Sequence, residues 1–128
     1  MVASLPMYDL PEVRGATDVF WHAIAREAGL EGGLLRVEDY HGVWRRPDLE
    51  FSQTCGYPLT HEFRETLKLV ATPHYSGDGN EGSNYRSVVF ARELLPLGAF
   101  EGKRAAFNNP DSMSGMLALK LVFAPFAA

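Results

Sequence analysis

Two hydroxyls and a glycine meet on one polar turn, Asn108-Asn109-Pro110-Asp111-Ser112-Met113-Ser114-Gly115. The turn follows the short apolar run Arg104-Ala105-Ala106-Phe107 and precedes the apolar run Met116-Leu117-Ala118-Leu119-Lys120-Leu121-Val122-Phe123. The order reads as strand, turn, helix. A helix N-terminus presents unpaired backbone N–H groups and a partial positive charge. Ser112 and Ser114 add hydroxyl donors at that place, so the turn has the chemistry to hold a phosphate-like or carboxylate anion without a formal cation. A plainer reading stands beside this one: Asp111 or Ser112 serves only as an N-cap, a position both residue types favour because they satisfy backbone N–H groups.

The other reactive residue types give less. Cys55 sits in a turn after a strand, where a nucleophile with His61 or His74 as base is conceivable. No triad signature accompanies it, and a lone Cys is more often a small packing residue. His22, His41, His61 and His74 form neither an i, i+4 pair nor a Cys/His cluster, so no metal site and no cofactor are expected. Residues 76–87 have Asp78 and Asn80 in the style of a calcium loop. They carry Glu81 where such a loop needs its glycine and Ser87 where it needs its glutamate, which leaves a surface connection. Arg86 is a candidate cation for an anion site, or a solvent-facing strand residue. Trp21 and Trp44 read as core aromatics, and His22 as solvent-facing.

These residues must be positioned by a chain of 128 residues with 46% hydrophobic and 22% charged content, enough for a domain with its own core. A net charge of −4 with no basic block gives nucleic-acid binding no electrostatic support. No apolar run approaches the ~20 residues of a membrane span. Residues 1–10 have neither a basic n-region nor a long apolar h-region. The location expected from the chain as written is therefore cytoplasmic, or periplasmic if a signal was removed. One cysteine allows no intrachain disulfide.

Along the chain, residues 2–8 read as a first strand and Pro11 as part of a first helical turn. A helix follows with Ala16, Val19, Phe20, Ala23, Ile24 and Ala28 on one face, ending at Gly29. Further strands are expected at residues 34–37, 49–54, 67–72, 85–92 and 104–107. A short helix or loop is expected at residues 39–48 around Trp44 and a short helix after a Thr60 cap, and a final helix near the C-terminus ends at Pro125. Strands alternating with helices predict an α/β fold, a mostly parallel sheet flanked by helices.

Assembled in this order, four motifs resemble the phosphate/phosphonate-type substrate-binding proteins of ABC transporters, which have the type 2 periplasmic-binding-protein fold. The motifs are Leu5-Pro6-Met7-Tyr8, Ser52-Gln53-Thr54-Cys55-Gly56-Tyr57-Pro58, Tyr85-Arg86-Ser87 and Asn109-Pro110-Asp111-Ser112-Met113-Ser114-Gly115. The resemblance implies a two-lobed protein that closes on a small anion, does no chemistry and delivers its ligand to an ABC permease. It implies that Ser112 and Ser114 hold the anion's oxygens with backbone N–H groups near Met113 and Gly115, and that Gln53, Thr54, Tyr57 and Tyr8 face the ligand from lobe 1. Met113 stands where phosphonate binders often carry a hydroxyl. On this scheme residues 1–102 are lobe 1 and residues 103–128 are the first strand and helix of a truncated lobe 2. A C-terminal helix apolar almost all round, with Lys120 its only charge, expects burial. That predicts a homo-oligomer formed through it. The remaining alternatives are an interaction or structural remnant of the fold that binds nothing, and a small α/β enzyme using Cys55.

Overall fold

In the computed structural model, which describes residues 1–126, the chain divides into two compact units. Met1–Cys55 with Glu65–Leu67 make the first; Gly56–Arg64 with the chain from Lys68 onward make the second.

The first unit is built on parallel pairing. Strand β1 (Val2–Ser4) runs parallel to β2 (Leu49–Ser52), with Ala3 opposite Phe51 and Ser4 opposite Ser52. On its other edge Ala3 forms a parallel bridge to Leu34, and its carbonyl accepts the Leu35 N–H at 2.8 Å. β1 therefore lies between the segment at Leu34 and β2. Parallel neighbours need a crossover, and helix α1 (Arg14–Ala28) supplies the first, entered through a 3-10 turn at Pro11–Val13. Pro11 suits that entry because its missing N–H would have no intrahelical partner there. Gly29 ends α1 at φ 66°, a left-handed conformation that glycine adopts without a Cβ clash. Helix α2 (Tyr40–Trp44) lies between Leu34 and β2, capped by the Asp39 carboxylate, which accepts the Gly42 N–H at 2.8 Å.

The core of this unit gathers Ala3, Leu5, Trp21 and Ala25, with Ile24, Leu30, Leu34 and Phe51 packed against it. Trp21 is 1% exposed, lies 5.9 Å from the Phe51 ring and donates its indole N–H to the Gly32 carbonyl. The inward face of α1 is thus set by Trp21, Ile24 and Ala25. The expected face was rotated: Val19 and Phe20 are exposed. One large aromatic with a buried polar handle outweighs a stripe of smaller apolar residues. His22 is exposed and Trp44 is buried, as read from the sequence.

In the second unit, α3 (Gly56–Thr60) is a single short helix. Thr60 closes it and does not open a helix; its hydroxyl donates back to the Gly56 carbonyl at 2.8 Å. Residues 76–87, expected to be a plain loop, hold an antiparallel hairpin of β3 (Asn80–Glu81) and β4 (Asn84–Tyr85). Gly82, at φ 60°, takes the first central position of its turn, where a tight hairpin of this hand requires glycine. The C-terminal helix begins with a wide π turn at Met113–Leu117, continues as α4 (Ala118–Phe123) and tightens into a 3-10 turn at Ala124–Phe126 that contains Pro125.

Two expected strands, residues 67–72 and 104–107, form no ladder; of residues 85–92 only Tyr85 does, and of residues 34–37 only Leu34, in an isolated bridge. Those runs have strand-like composition but no neighbouring strand to bond. β preference is a property of a paired, half-buried surface and not of a segment alone. The molecule is α/β in the general sense, helix and strand mixed around a small parallel sheet. Among the described residues no helix is long and apolar enough to cross a membrane.

Candidate functional site

Because β1 and β2 are parallel, their carboxyl ends open at the same edge. From β1 the chain first goes to Leu34 on one side, then crosses to β2 on the other. The carboxyl ends of β1 and β2 are therefore a topological switch point, the usual ligand position in open α/β sheets. The residues that emerge there are Met7 and Tyr8 after β1, and Gln53, Thr54 and Cys55 after β2.

These two loops are tied together. The Gln53 N–H donates to the Ser4 carbonyl at 3.0 Å, extending the parallel ladder one residue past β2. The Gln53 side-chain oxygen accepts the Met7 N–H at 3.2 Å. The Cys55 thiol lies 3.3 Å from the Met7 sulfur, and the Thr54 hydroxyl donates to the Cys55 carbonyl at 3.3 Å. Tyr8 is 62% exposed. The structure thus brings Tyr8, Gln53 and Thr54 of the expected residues to one edge.

A feature that sequence reading missed lies directly behind Tyr8. The Asp9 carboxylate accepts from Nε and Nη2 of Arg36, and Nη2 of Arg36 also donates to Asp18 Oδ1 on α1 at 2.7 Å. The Arg36 guanidinium, through its hydrogen bonds first and its charge second, holds the Asp9 carboxyl below the usual range; its hydrogen bonds to both carboxylates hold the Arg36 proton more firmly than usual. No local signal could have revealed it, because Asp9 and Arg36 are 27 residues apart.

The remaining expected residues belong to the second unit. The Tyr57 ring stacks on His61 at 3.9 Å, and His61 Nδ1 is within hydrogen-bond distance of the Tyr57 carbonyl and the Thr60 hydroxyl. Arg86 is exposed, as its solvent-facing reading had it; its N–H donates to the Gly79 carbonyl and its side chain lies over Gly79, which has no Cβ to obstruct it.

At the Ser-rich turn, Ser112 is buried at 5% exposure and its hydroxyl accepts the Gly115 N–H at 3.0 Å. The capping reading of Ser112 is therefore fulfilled, and its hydroxyl keeps one donor for another partner. The Ser112 carbonyl accepts both the Met116 and Leu117 N–H groups at 3.1 Å, which produces the π turn. The Asn108 side chain is seated so closely on Gly115 that a Cβ there would fall 1.9 Å from its oxygen. Ser87 donates its hydroxyl to the Ser114 carbonyl at 3.0 Å, and Met113 is exposed. Ser112, Ser114 and Gly115 are thus held as one turn by Asn108 and Ser87. Among the described residues no cluster of His, Cys, Asp or Glu could hold a metal ion.

No family model, no curated protein and no solved structure matches this chain.

Proposed function

We propose that this chain is a solute-binding protein for a small oxyanion of the phosphate or phosphonate type, serving an ABC-type uptake system. The observation that carries the reading is the switch point at the carboxyl ends of β1 and β2, where the neutral polar side chains of Tyr8, Gln53 and Thr54 gather. Neutral dipoles suit a ligand that is bound and released without reaction. The likeness in motif order assigns a set of donors to Ser112, Ser114 and the N–H groups around Met113 and Gly115. Within the second unit, Tyr57 and Arg86 are proposed as ligand contacts as well. The type 2 periplasmic-binding-protein architecture, with residues 1–102 as lobe 1 and 103–128 as the start of lobe 2, belongs to the same proposal. Cys55 has no catalytic part in it.

The test is thermal unfolding with phosphate, sulfate, methylphosphonate and aminoethylphosphonate. A bound anion at 100 times its dissociation constant adds about 2.7 kcal/mol of stability. The expected result is a shift for at least one anion that is lost in Gln53→Ala and, separately, in Ser114→Ala. Each variant is compared with its own ligand-free baseline, so a lost cap or contact is not mistaken for lost binding. An absence of any shift with all four anions would sink the reading.

A second reading has its own observation. Val70, Val88, Phe90, Leu94 and Leu121 of the second unit are strongly exposed. Apolar surface of that kind favours an interaction module that binds no ligand. It predicts no anion response together with self-association.

A further inference from the structure

The loop after β1 is fastened at two points, one on each side of Tyr8. Before it, the Met7 N–H is bonded to Gln53. After it, Asp9 is gripped by Arg36, whose other bond to Asp18 fixes the guanidinium on α1. The Asp9 side chain is 11% exposed and that of Arg36 31%, whereas Tyr8 between the fastenings is 62% exposed. A single exposed residue between two anchored neighbours has little freedom in where its backbone sends the side chain.

The charge around Arg36 decides its role. Its donors are shared between two carboxylates, so the cluster of Arg36, Asp9 and Asp18 sums to one negative charge. Such a cluster offers an anion no attraction. Resting on the solute-binding reading, we infer that Arg36 is a positioning residue: it holds Asp9 against α1 so that Tyr8 is presented at the carboxyl edge of β1, and it makes no contact with the ligand. The side chains proposed to meet the ligand at this edge, Tyr8, Gln53 and Thr54, are neutral.

Two variants preserve size or charge while breaking the grip. Asp9→Asn keeps the side-chain shape, and Arg36→Lys keeps the charge but loses the planar fork. The full-length chain is labelled with 3-fluorotyrosine and its 19F resonances recorded, with Tyr8 assigned through Tyr8→Phe. Both variants are expected to move the Tyr8 resonance toward that of free 3-fluorotyrosine while those of Tyr40 and Tyr57 stay in place. An unmoved Tyr8 resonance in both variants overturns the inference; so does a uniform collapse of all resonances in both, which would mark Arg36 as a general fold support.

The second arm titrates methylphosphonate and inorganic phosphate at low and high salt. Affinity is expected to fall about tenfold in Arg36→Lys, the scale on which groups that orient a ligand's contacts act. Its salt dependence should equal that of the wild type, because no net positive charge at the site has been lost. In Arg36→Gln a flattened salt dependence would show a direct Arg36–anion contact and overturn the positioning role. If the wild-type chain binds neither anion, the solute-binding reading fails, and the fluorine arm still decides whether Arg36 places Tyr8.

Discussion

Trp21 sets the packing of the first unit by a single polar bond inside an apolar enclosure. Its indole N–H reaches the Gly32 carbonyl at 2.9 Å. Trp21→Phe keeps most of the apolar area and loses that hydrogen bond, while water can take up the carbonyl of the exposed Gly32, so a loss of about 0.5–1.5 kcal/mol is expected in urea unfolding. At Asp9 the relevant variable is pH. Its carboxyl titrates below its ordinary value because Arg36 bonds the charged form. The stability this contributes is present above the unfolded value, about pH 4. It disappears as pH falls through the lower, folded value. Wild type should therefore exceed Asp9→Asn in unfolding midpoint at neutral pH, with the difference closing only in acid; a difference constant across that range would contradict the assigned pairing. Trp21 was legible in the sequence as a core aromatic because size and hydropathy alone place it. Asp9 and Arg36 were not, since a salt bridge between distant positions leaves no periodicity and no spacing. The sequence singled out Gln53 only as a proposed ligand contact and gave no sign of it as the acceptor that ties down Met7.

At the level of elements, two glycines carry shapes that no other residue reproduces. Gly29 closes α1 at φ 66°. Gly29→Ala is expected to cost about 1–2 kcal/mol, the penalty of a left-handed conformation for a residue with a Cβ. Gly115 is needed for a different reason, because the Asn108 oxygen occupies the place of its missing Cβ. Gly115→Ala should displace Asn108 and loosen the π turn. Adding Asn108→Ala should relieve the clash, and thermal unfolding of the single and double variants measures it. If the double variant is no better than the single, the close approach is not what demands glycine. Helix α1 and its stop at Gly29 were readable because their signals are local. The strands expected at 67–72 and 104–107 were not real elements, because a strand exists only with a partner, and composition does not supply one. The hairpin at Asn80–Tyr85 was hidden by its glycines, which read as loop while one of them was the turn of a tight pair.

For the whole molecule, the exposed apolar side chains of the second unit set its behaviour in solution. Leu121 is 73% exposed on the C-terminal helix and Phe90 is 90% exposed in the segment after β4. The proposed homo-oligomer through that helix predicts an apparent mass that rises with concentration in sedimentation velocity, and a smaller rise in Leu121→Lys. A clean monomer at every concentration would remove the proposal. The general α/β class was readable from the alternation of patterns, whereas the extent of the sheet was not, because pairing depends on what each strand finds beside it.

The place of β1 between Leu34 and β2 also has a consequence in time. Synthesis delivers β1 well before its partner on the far side: Met7 and the Gln53 that fastens it lie 46 residues apart. During that interval one edge of β1 has no ladder to join, and the carbonyl of Ser4 waits for an N–H not yet made. The junction of the two loops therefore comes into being only when Gln53 emerges, and until then the nascent chain offers an open strand edge to any chaperone that recognises one.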